Sequence, residues 1–183
     1  MEKFPSALAT MRLLKLVSLS LVAPVVPAVA QQILEQQPLP PIDIKQYAVE
    51  QTTADSGEAA YLHKVVIQDE MMEKSLSAVQ LVFVGNDGFA VQSIHRATLS
   101  QPVDPEQQGS GAWTTPQGSA GQFAVLVEKV RYQDGEIWSA KHADMARAIQ
   151  AIDPEFRPSR LQDEPRPAVV VEINIINIEV DGE

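Results

Sequence analysis

The chain has 183 residues, 45% of them hydrophobic, which is enough for one domain with a core of its own. Twenty-four acids against 14 lysines and arginines leave a formal net charge of −10, a surface that repels phosphate backbones and anionic lipid and excludes nucleic acid as a partner. There is no cysteine, so disulfides, thiolate chemistry and Cys-ligated zinc are excluded too.

Residues 1–30 predict a signal peptide. Arg12 and Lys15 precede an apolar stretch, Leu16 to Ala30, that ends Ala28-Val29-Ala30 before Gln31, the order of a basic, an apolar and a small-residue cleavage region. Pro24 and Pro27 break the stretch, and it falls short of the roughly 20 apolar residues that a membrane span needs. Met11 is an alternative start, because 11–30 alone make a compact signal. Cleavage removes Lys3, Arg12 and Lys15 with Glu2, which takes the net charge from −10 to −12. The expected product is periplasmic or secreted, without stable membrane insertion. The lack of both cysteine and an Asn-x-Ser/Thr sequon points to a bacterial source.

Residues 31–60 read as a flexible tether. Gln36-Gln37-Pro38-Leu39-Pro40-Pro41 favours polyproline II, and Gln51–Glu58 is polar without periodicity, a composition that buries too little to offset its ordering entropy. Ile42-Asp43-Ile44 alternates and could add a short edge strand.

A folded domain is expected over 61–183. Tyr61–Gln68 alternates as a strand, with Tyr61, His63, Val65 and Ile67 on one face. Leu76–Val84 is an apolar run suited to a buried strand, and Asn86-Asp87-Gly88 is a turn that returns Phe89–Leu99 as its antiparallel partner. Residues 100–121, rich in Gln, Pro, Ser and Gly, read as a long loop carrying Trp113, which either tucks over the open end of the domain or anchors a partner.

Gln122–Gln133 predicts a strand, Asp134-Gly135 a two-residue turn and Glu136–Ala140 its return. That register places Arg131 opposite Trp138, within reach of a cation–π contact, and points Val130, Tyr132 and Ile137 to the core. Lys141–Ile152 is the one helix, with Met145, Ile149 and Ile152 on one side, stopped at Asp153-Pro154. Residues 156–167 form a connector. Ala168–Val180 is a long strand whose apolar alternation changes phase between Ile175 and Ile176, as a β-bulge would make it.

No constellation carries chemistry. His63, His95 and His142 lie on three different elements without metal-ligand spacing. Asp69, Glu70 and Glu73 form one acidic group and Asp153, Glu155, Asp163 and Glu164 another, and both lack the alternation that wraps calcium. Nucleophile elbows, Walker loops and dinucleotide fingerprints are missing, so no catalytic, metal-binding or cofactor residue is assigned.

The segment Val130-Arg131-Tyr132-Gln133-Asp134-Gly135-Glu136-Ile137-Trp138 resembles the Val-x-Phe-x-Asp-Gly-x-x-Trp closing hairpin of secreted bacterial domains with an immunoglobulin-like sandwich, with Tyr132 in the Phe position. The resemblance covers about residues 61–140 and carries no active site with it. The helix and the C-terminal strand depart from the pattern. The expected fold is a mainly β, antiparallel immunoglobulin-like sandwich with one packed α-helix behind a flexible N-terminal tether. The expected function is that of a non-enzymatic binding or scaffold module. It would act through surface loops on a protein or glycan of the periplasm or extracellular space, with Trp113, Arg131 and Trp138 as partner-binding residues. The alternative is a small hydrolase, which a pocket enclosing His63 or His95 with two carboxylates would favour.

Overall fold

The computed structural model describes residues 29–69, 74–105, 107–163 and 166–176. The predicted signal peptide lies outside them except for Val29 and Ala30. The protein is mainly β, with two sheets and few helices.

Four antiparallel strands make one sheet, in the order β10 (Val169–Ile176), β6 (Gln108–Pro116), β3 (Ala59–Asp69), β2 (Ile42–Thr53). The other sheet has six strands. Its order is β1 (Ala30–Ile33), β7 (Gln122–Tyr132), β4 (Leu76–Asn86), β5 (Val91–Leu99), β9 (Arg166–Pro167), with β8 (Ile137–Ser139) also paired to β7. Period-2 alternation sends Tyr61, Val65 and Ile67 of β3 and Leu81 and Phe83 of β4 into the space between the sheets, where all are buried.

The six-stranded sheet has a second covered face. Helix α1 (His142–Ile149) lays Met145, Ala146 and Ile149 over Val82, Val84, Ile94, Ala124 and Leu126. Phe156 and Leu161, the latter on the short helix α2 (Arg160–Asp163), complete that cluster. Buried on both sides, the middles of β4 and β7 read as continuous apolar runs rather than alternations. After α1 the carboxylate of Asp153 accepts from the backbone N–H groups of Val91 (3.1 Å) and Glu155 (3.1 Å), which ties the end of the helical segment to β5.

Four expectations need correction. Residues 31–60 are no flexible tether: β2 is a full strand of the four-stranded sheet, with Ile42, Ile44, Tyr47 and Val49 buried. Between β1 and β2, the Gln36 amide donates to Val127 O and accepts from Val127 N, both at 2.8 Å, as a neighbouring strand would. Residues 100–121 are not a loop either, because β6 runs through them between β3 and β10. Its inward positions are Gly109, Gly111, Trp113 and Thr115. The indole lies over Gly111, where a Cβ would come within 2.3 Å of the ring, so only glycine leaves it room.

The turn after β7 holds three residues, not two. Tyr132 N donates to Glu136 O, and Gly135 takes a φ of 91°, the left-handed position that closes a three-residue hairpin loop. The pairing therefore slips by one residue, to Arg131 opposite Ile137 and Val130 opposite Trp138. Trp138 packs against the inter-sheet core and Ile137 turns outward, half exposed, so Arg131 and Trp138 lie on opposite faces and form no cation–π pair. In β10 the register shift falls between Val170 and Glu172 rather than at Ile175, and the predicted continuation past Ile176 lies outside the described residues.

Candidate functional site

Helix α1 covers only half of the outer face of the six-stranded sheet. Where it ends, the face becomes polar. Arg96 of β5 and Glu128 of β7 mark the boundary. Glu128 is the extra residue of a bulge, since Gln80 pairs with Lys129 but Leu81 pairs with Val127. A bulge re-aims a side chain, and here the carboxylate reaches across β4 to the guanidinium. Arg96 Nε donates to Glu128 Oε2 at 2.6 Å and Nη2 to Oε1 at 2.7 Å, a bidentate pair, and Nη2 also donates to the carbonyl of Leu161 at 3.0 Å. His142, at the start of α1, stands with Nε2 3.7 Å from Glu128 Oε1. With both its oxygens engaged by Arg96, Glu128 serves as a bracket between the strands and the helical segment.

Beyond this boundary lies an open groove of about 290 Å³ lined by Ala78, Gln80, Thr98, Ser100, Lys129 and Arg131. The ladder explains its shape. Thr98, Gln80 and Lys129 form one row across β5, β4 and β7, and Ala78 sits opposite Arg131 in the next. The alanine, a methyl group amid longer neighbours, is the floor. Lys129 and Arg131, two positions apart, project from the same side of β7 about 7 Å apart along the strand. Lys45, Lys64, Lys74, Arg96, Arg147 and Arg160 each have a carboxylate partner. Lys129 and Arg131 have none among the described residues. Two exposed, uncompensated cations side by side stand out in a chain of net charge −10.

Of the three residues expected to bind a partner, only Arg131 lies here. Trp113 is fully buried between the sheets, tilted against Phe83 with the rings 5.8 Å apart, and Trp138 is half-buried toward the same core. The tryptophans therefore stabilise the sandwich.

The histidines named by the hydrolase alternative are also interior. His63 has no exposed surface. Its Nδ1 shares a hydrogen bond with Tyr47 Oη (3.0 Å), its Nε2 one with Thr115 Oγ1 (2.8 Å), and its ring stacks on Phe83 at 4.4 Å. Burial, with the nearby His95 adding, lowers its pKa to about 3. Among the described residues no three His, Asp or Glu side chains converge as metal ligands, and no helix is long and apolar enough to cross a membrane.

Sequence reasoning missed Arg96, Glu128, Gln80, Thr98 and Lys129. The one local signal was Lys129-Val130-Arg131, two cations flanking a core valine near the end of an apolar strand. Comparison with protein-family models, curated proteins and solved structures found no match.

Proposed function

We propose that the protein is an exported, non-enzymatic binding module that engages its ligand on the open half of the six-stranded sheet's outer face. The observation that carries this reading is the groove beside α1, where two cations without carboxylate partners among the described residues meet neutral hydrogen-bonding side chains on paired central strands. A site built on paired central strands is held in place by its ladder and needs little ordering on binding. Export is supported by the basic, apolar and small-residue order of residues 1–30.

An immunoglobulin-like arrangement belongs to the same proposal. Its support is the strand order: β2, β3 and β6 face β5, β4, β7 and β8, and the chain changes sheet from β3 to β4 and from β6 to β7, as immunoglobulin-type sandwiches do.

The test is an array of neutral and acidic glycans and peptides, probed with the full chain and with Ala78→Trp, which fills the groove without changing its charge. Thr98→Trp, on the exposed rim, serves if Ala78→Trp fails to fold. Bound ligands that both the wild type retains and the filled groove loses are the expected result. An array on which filling the groove changes nothing overturns the reading.

A further inference from the structure

We infer that the groove's ligand is an acidic saccharide, a hydroxylated ring compound bearing two oxyanions, held by Lys129 and Arg131. The inference rests on the binding-module reading and names its ligand. The groove runs across β5, β4 and β7, two inter-strand steps or about 10 Å, and it is chemically asymmetric along that path. At the β5 end stand the hydroxyls of Thr98 and Ser100. The amide of Gln80 is in the middle, and the cations stand at the β7 end.

Hydroxyls and a primary amide both donate and accept, which matches sugar hydroxyls. Among the described residues the lining holds no aromatic or large aliphatic side chain and no carboxylate. It therefore offers little to an apolar ligand and no partner to a cationic one. Lys129 and Arg131, about 7 Å apart on one side of a strand, each lack a carboxylate among the described residues, so each has its donors available for one anionic group. Arg131 can take a carboxylate or sulfate bidentately and Lys129 as a point charge. The remainder of the acidic surface opposes indiscriminate anion binding, so affinity has to come from this pair together with the neutral donors beside it.

Titration calorimetry of the full chain at low ionic strength separates the possibilities. The probes are digalacturonate, a disulfated disaccharide, digalacturonate dimethyl ester and tetraglutamate. Saturable binding of one or both acidic saccharides is expected, weakened at least tenfold by Lys129→Gln/Arg131→Gln. Thr98→Ala should weaken the same ligands severalfold. The control Lys45→Gln/Lys64→Gln, which removes the same charge from the four-stranded sheet, should stay within about twofold of wild type. The tighter of the two acidic saccharides identifies the anion. Neutral ester binding as tightly as the acid, tetraglutamate binding as tightly as either saccharide, an unaffected Lys129/Arg131 double variant, or no saturable binding of either acidic saccharide overturns the inference. The two readings fail separately. A neutral or peptidic array ligand that is lost when the groove is filled removes the saccharide and leaves the binding module standing. A groove whose filling changes nothing removes both.

Discussion

Protonating His63 would place a charge among Tyr47, Phe83 and Phe123, where no water reaches it. The folded protein resists that protonation down to about pH 3, whereas an unfolded chain accepts the proton near pH 6.5. Between those values the unfolded state binds the extra proton. The contribution of neutral His63 is therefore complete above about pH 6.5 and is lost as the pH falls toward 3, at up to about 1.4 kcal/mol per pH unit. Urea denaturation from pH 7.5 to 5 should show this slope in the wild type and a flatter one in His63→Gln, an amide that can still face Tyr47 and Thr115. An equal slope in both would mean that another group sets it. The position of His63 on the inner face of β3 was legible from alternation. Its hydrogen-bond partners were not, since Tyr47 and Thr115 lie 16 and 52 residues away, on segments whose strands the local pattern concealed.

That concealment has a physical cause in each element. Along β2 the inward residues are Ile42 and Ile44, then Tyr47 and Val49, because a register shift between Ile44 and Gln46 leaves Lys45 as an extra residue. A period-2 reading loses phase there, which made a twelve-residue strand look like a short edge piece. Along β6 the pattern is intact, but two of its four inward residues are glycines with no apolar signature: the indole of Trp113 occupies the space over Gly111, and Val103, Leu99 and Ile67 crowd Gly109. Gly111→Ala should therefore act as overpacking and cost about 1–3 kcal/mol. Equilibrium denaturation would measure it, and a variant as stable as wild type would show that the indole can move aside. By contrast, β3 and α1 were readable from unbroken periodicity, and β4 and β7, buried on both faces, from their continuous apolar runs despite the bulge at Glu128. The groove was half readable: Lys129 and Arg131 announce a polar face near the end of β7, but their neighbours Gln80 and Thr98 come from strands that only the fold brings alongside.

At the scale of the whole molecule, one edge of β7 is covered in relay. β1 pairs with it from Gln122 to Val125, the Gln36 amide takes both backbone groups of Val127, Ala140 N donates to Glu128 O, and β8 continues from Lys129 to Arg131. Replacing Gln36 by Ala would orphan a buried N–H and a buried C=O, at about 1–3 kcal/mol for each. Denaturation should report that loss, and a change below about 0.5 kcal/mol would show water substituting for the amide.

The same relay sets an order in time. Gln36 emerges from a ribosome 91 residues ahead of the valine it binds, so residues 30–36 must wait while the β2–β3 and β4–β5 hairpins, whose partners are adjacent in the chain, have theirs at hand. Closing a loop that long is a late event. Contacts made after the folding barrier change the rate of coming apart rather than of assembly. Stopped-flow traces of Gln36→Ala should accordingly show refolding at the wild-type rate and faster unfolding, as if the N-terminal segment were a latch thrown only after the rest of the sheet has closed.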